Sequence, residues 1–173
     1  MKYLHSNLWR DINCGDETRR LNALSKWNEN IKLYQSEYLK ANRHLTKAFI
    51  RAYESNFGFH HYLINDILLS DGSKYIKYNR SDIKSINQCQ IILFDLVDTW
   101  QLTYKGLSYI NFNCSGTALN TLDNSRQIEY SELMVFQDDI LSHEILLTGG
   151  YILLLHFTWV SVKKIQHPQI TDS

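Results

Sequence analysis

From Glu17 to Phe57 the chain contains neither glycine nor proline, and Gly15 and Gly58 bracket the stretch. Its apolar positions fall at Leu24, Trp27, Ile31, Tyr34, Tyr38, Ala41, Leu45, Ala48 and Ala52. The spacing alternates three and four residues throughout, which is the stripe of an amphipathic helix and not the alternation of a strand. One unbroken helix would be about 60 Å long at a rise of about 1.5 Å per residue. A chain of this size has a radius of gyration of only about 16 Å. The stripe therefore predicts a break, placed at Asn42-Arg43-His44 ahead of Thr46, with Asn28-Glu29-Asn30 as the second choice. Asp16 suits the N-cap, and Gly58 suits the left-handed residue beyond the C-terminus. Upstream, Leu4, Leu8 and Ile12 suggest a short helix, or a strand at Lys2–His5 followed by a turn. Tyr and Ala along the stripe fit packing on a sheet better than a coiled coil. A homodimerising structural module built on the stripe is the competing use.

The hydrophobic period changes after Phe59. Tyr62–Leu69, Lys74–Asn79, Gln90–Val97, Trp100–Tyr104, Leu107–Asn113, Glu129–Gln137, His143–Thr148 and Tyr151–Val162 read as strands. Asp71-Gly72 and Lys105-Gly106 read as turns, Ile83-Lys84-Ser85-Ile86 as a possible helical turn, and 116–125 as a polar loop. Thr148-Gly149-Gly150-Tyr151 is the clearest hairpin signal. Sequential strands without intervening helices predict an antiparallel sheet, so the fold class is α+β: an N-terminal helical region, 1–58, packed on a C-terminal antiparallel β-sheet region, 59–165. The tail, 166–173, carries the only proline and is expected to be loose, within one compact domain overall.

Formal net charge is zero, whereas nucleic-acid binders carry a basic excess, so direct contact with nucleic acid is not expected. The charge is unevenly placed. Residues 1–70 hold 10 Lys/Arg against 7 Asp/Glu, and residues 71–173 hold 8 against 11. Within 121–145 stand Asp123, Glu129, Glu132, Asp138, Asp139 and Glu144 with one base, Arg126. Cys14, Cys89 and Cys114 are odd in number and form no C-x-x-C pair, against both a disulfide framework and a zinc site. The first ten residues lack the apolar run of a signal peptide, and Gly149-Gly150 and His156 interrupt the apolar stretch Ile145–Val162. A cytoplasmic protein with no membrane partner is the expectation.

Local chemistry is sparse. His60-His61 with Asp66 would serve a small metal-dependent hydrolase, but adjacent strand residues point to opposite faces. His143-Glu144 begins a zincin-like string whose second histidine is replaced by Leu147. Asp138-Asp139 with Glu144 reads as a solvated acidic turn before a cation site. Asn113-Cys114-Ser115-Gly116 lacks the frame of a nucleophile elbow. Lys26, Lys32, Lys40, Arg43, Lys47 and Arg51, interspersed with Glu29, Glu37 and Glu54, read as a solvated helix face. No catalytic, metal or cofactor-binding residue is assigned, and a non-catalytic protein is expected.

The start Met1-Lys2-Tyr3-Leu4, the helical region with Trp27 and Tyr34, the junction Phe59-His60-His61, and the ending from Ser142-His143-Glu144-Ile145 through Gly149-Gly150 to Leu155 resemble a group of small bacterial proteins of unknown function. Those proteins pass from a helical N-terminus into a β-domain through a Leu-His-Asp junction; here the third position is His61. Small solitary α+β proteins of this kind often serve as immunity proteins. The resemblance implies a binding protein that neutralises a cognate antibacterial toxin, a nuclease above all, as in contact-dependent growth inhibition. Its implied contact surface is Asp123, Glu129, Glu132, Asp138, Asp139 and Glu144 with Tyr130, where acids would steer a basic partner and aromatics would anchor it.

Overall fold

The computed structural model describes residues 1–70, 86–114 and 126–165. Three helices come first: α1 (Ser6–Ile12), α2 (Glu17–Asn42) and α3 (Lys47–Ser55). Asp16 caps α2 as expected, its carboxylate accepting from the Arg19 N–H at 3.0 Å. The break falls after Asn42, and Thr46 caps α3 by accepting from the Phe49 N–H. Asn28-Glu29-Asn30 lies inside α2 and leaves it unbroken. The break also rotates the stripe. Trp27 and Ala41 of α2 are buried, but in α3 the core takes Phe49, Ala52 and Tyr53, while Ala48 faces solvent. Gly58 does not end α3 directly. Phe57 (φ 50) is already left-handed, and Gly58 (φ 70) and Phe59 (φ 62) continue the reversal as a tight turn. Left-handed phenylalanines cost about 1 kcal/mol or more each. Burial of the Phe59 ring offsets part of that.

Eight strands follow: β1 (Leu63–Ser70), β2 (Gln88–Phe94), β3 (Thr99–Lys105), β4 (Tyr109–Cys114), β5 (Ile128–Gln137), β6 (Ile140–Leu147), β7 (Tyr151–Phe157) and β8 (Trp159–Ile165). They form two antiparallel sheets, β1-β2-β3-β8 and β4-β7-β6-β5, where the sequence suggested one. The run read as a single strand from Tyr151 to Val162 bends at Thr158, and Lys105-Gly106 is the matching corner and not a reversal. Pairing carries on around the bend: the Thr158 N–H donates to Lys105 O at 3.1 Å and the Ser108 N–H to His156 O at 2.9 Å. Gly106 (φ 62) is required there, because a Cβ would lie 2.1 Å from Thr158 Oγ1. At the other side, bonds between Tyr62–Ile64 and Arg126–Ile128 tie the start of β1 to the start of β5. The two sheets thus close on each other around a common core.

That core alternates as strand geometry requires, with Cys89, Ile91 and Leu93 of β2 in one buried cluster with Leu141, Ile145, Leu153 and Leu155 of the second sheet. Each such aliphatic side chain contributes about 1.5–3 kcal/mol on burial. Helix α2 runs beside the edge strand β5 in the same direction: Trp27 meets Tyr130 edge-on at 4.5 Å, and the Tyr34 hydroxyl accepts the Leu133 N–H at 2.8 Å. The unpaired edge is covered there. The hairpin at Gly149 and Gly150 (φ 86 and 84) closes β6 onto β7, pairing Leu147 with Tyr151. Among the described residues no helix is long and apolar enough to cross a membrane. The expected turn at Asp71-Gly72, strand Lys74–Asn79, turn Ile83-Lys84-Ser85, loop 116–125 and tail 166–173 lie outside the described residues.

Candidate binding face

The acids of the β5–β6 hairpin divide into two groups. Glu132 and Glu144 stand directly opposite each other on the outward side of β5 and β6, while their neighbours Leu133 and His143 point into the core. Like charges in that position repel. The N-terminal segment resolves the conflict by lying across them. The Glu132 carboxylate accepts the backbone N–H groups of Lys2 and Tyr3, each at 2.8 Å, and that of Leu4, while the Met1 amino group pairs with Glu144. Successive backbone amides form a concavity suited to an anion, here an internal carboxylate. Glu132 is 0% exposed, so it holds the N-terminal segment and is withdrawn from any outer surface. Tyr130 is likewise engaged, between Trp27 and the ring of His60. Glu129 is half-buried and accepts from Thr148 Oγ1 at 2.6 Å. Asp123 lies outside the described residues.

Asp138 and Asp139 differ. They form the two-residue turn between the paired Gln137 and Ile140, with Asp138 left-handed (φ 45). The Asp139 side chain is 94% exposed, 4.0 Å from His44 in the α2–α3 link.

Beside this turn the outer face of the second sheet carries a row of rings. Phe136 stacks on His156 with centroids 4.0 Å apart and planes 23° apart, and Tyr109 lies against the other flank of His156 at 5.2 Å. Register brings them together: His156 pairs with Tyr109 on β4 and with Ser142 on β6, which in turn pairs with Met134 on β5. Phe136 is 55% exposed and Tyr109 44%. Burial lowers the His156 imidazole below its ordinary range, with the Glu144 charge opposing, so the ring favours its neutral, stacking form. These three residues were missed in the sequence. Phe136 and His156 stand on strands that do not pair directly, and the only available signal was a surplus of aromatics.

The remaining chemistry-bearing groups are structural in their contacts. The rings of His60 and His61 lie 3.7 Å apart, not on opposite faces, because His61 is left-handed (φ 70) and the junction is not a strand. His60 Nδ1 meets Glu129 O, and His61 Nδ1 meets Gln127 Nε2 at 2.8 Å. Asp66 accepts from Asn65. Among the described residues no three His, Cys, Asp or Glu side chains are grouped to hold a metal ion. His143 is buried in the core with Nδ1 2.8 Å from the Tyr104 hydroxyl, and burial pushes its pKa down to about 3. It is a neutral core imidazole. At the β2–β3 turn, Leu96 and Val97 are presented outward while Asp95 Oδ1 accepts the N–H groups of Val97 and Asp98. No protein-family model and no curated protein matches this chain.

Proposed function

We propose that this protein is a non-catalytic binding protein that neutralises a cognate protein toxin in the cytoplasm by tight association. The toxin-neutralising part of the reading rests on the resemblance of the junction and final hairpin. Support for protein binding comes from one observation, the exposed row Phe136–His156–Tyr109 ending at the exposed acids Asp138 and Asp139. Aromatic side chains dominate the energetic centres of interfaces, because each buries a large apolar area at small entropic cost. Acids at the rim speed encounter with a basic partner. Relative to the sequence expectation, the surface moves. Glu132 is buried and Glu144 holds the Met1 amino group, and the turn acids with the ring row take their place.

The experiment is calorimetric titration against the C-terminal domain of any large secreted protein encoded immediately upstream. The reading expects saturable binding in the nanomolar range and protection of cells that express that domain. It also expects Asp138→Lys/Asp139→Lys to slow association and flatten its salt dependence. Absence of both binding and protection would reject it.

A further inference from the structure

A cleft of about 530 Å³ opens between the N-terminal segment, α1 and α2, and shares no lining residue with the ring row. Its volume lies inside the range of about 300–1,000 Å³ usual for small-ligand sites. Lys2 and Lys26 supply its cationic side, and Tyr3, Leu8 and Leu33 its apolar side. No acidic residue lines it. The carboxylates whose charge reaches Lys2, Glu37 and Glu132, also have other partners. Glu132 is saturated by three backbone amides, and Glu37 is paired with Lys40 at 2.6 Å. Among the described residues Lys26 forms no ion pair, so its charge is left for a ligand, and Lys2 joins it from the opposite wall. One wall is held in place, since Asn30 Nδ2 donates to Tyr3 O at 2.7 Å and ties α2 to the N-terminal segment. Lys2 Nζ lies 5.0 Å from the Tyr3 ring centroid, which draws the ammonium to the apolar side of the cleft. Leu33 is 57% exposed, an apolar side chain that a ligand stem would cover.

We propose that this cleft binds a small organic anion, a carboxylate carried on an apolar stem, with Lys2 and Lys26 holding the carboxylate and Leu8, Leu33 and the Tyr3 ring covering the stem. Charge-assisted hydrogen bonds would fix the head group, and the stem supplies the area term.

The test is nuclear magnetic resonance titration of the full chain with 4-phenylbutyrate, its neutral amide, and inorganic phosphate. The expected result is saturable shifts of backbone amides in 2–8 and 26–33 with the acid, and binding about tenfold or more weaker for the amide and for phosphate. Lys2→Gln/Lys26→Gln should weaken the acid about tenfold, and Leu33→Glu should do the same, both with an unchanged melting temperature because these side chains are exposed. The proposal is overturned by no shift at about 5 mM acid, by an amide that binds as tightly as the acid, or by phosphate that binds equally well. Wild-type affinity in both variants would also overturn it.

Discussion

Glu132 faces Glu144 across paired strands, and its burial would be untenable without the three N–H groups that converge on it. Removing the carboxylate leaves those donors without their acceptor. Glu132→Ala is therefore expected to cost about 2 kcal/mol or more, at about 1–3 kcal/mol for the buried Leu4 donor and less for the part-buried donors of Lys2 and Tyr3. Asp139→Ala, at an exposed turn, should stay within about 0.5 kcal/mol. Urea denaturation of the two variants checks the contrast, and equal losses would refute the internal role of Glu132. His143 gives a pH signature. Its folded pKa of about 3 lies below the ordinary 6.5 because burial disfavours the cation. The unfolded chain takes up this proton near pH 6.5 and the folded chain only near pH 3. The contribution is thus intact above pH 6.5 and is lost as pH falls through that window, by about 1.4 kcal/mol per pH unit. His143→Leu should be less steeply destabilised by acid over the same window; identical pH slopes in both proteins would contradict the assignment.

The elements differ in how far local sequence determines them. The helical stripe, the Asp16 cap and the end at Asn42 could be read because they depend on residues three or four positions apart. Thr46→Ala should destabilise by about 1 kcal/mol through loss of the α3 cap. The corner at Thr158 could not be read. The run Tyr151–Ile165 has no glycine or proline, and the bend at Thr158 sits against Gly106, 52 positions earlier at the corner between β3 and β4. Gly106→Ala should cost more than Gly150→Ala. Both glycines are left-handed, but only at Gly106 does an added Cβ collide, while at Gly150 it meets nothing within 4 Å. Thermal melts of the pair measure the difference, about 2 kcal/mol against about 1. Equal losses would mean that the corner tolerates the extra carbon.

At the scale of the whole molecule, the α+β class was legible and the surface was not. Glu132 and Glu144 lie on the outward side of β5 and β6, but nothing local announces that the N-terminal segment, some 130 positions earlier, covers them. The row Phe136–His156–Tyr109 exists only through strand register, which a single sequence does not display. Among the described residues, both this row with its acidic turn and the Leu96-Val97 tip present exposed apolar side chains to a protein partner. The central claim selects the first. Its most direct test is the affinity of Phe136→Ser/Tyr109→Ser for the cognate toxin domain, measured beside Leu96→Ser in proteins of unchanged fold. The account predicts a loss of about thirtyfold or more for the ring variant and near wild-type binding for the tip variant. A strong loss at Leu96 with none at Phe136 and Tyr109 would contradict it.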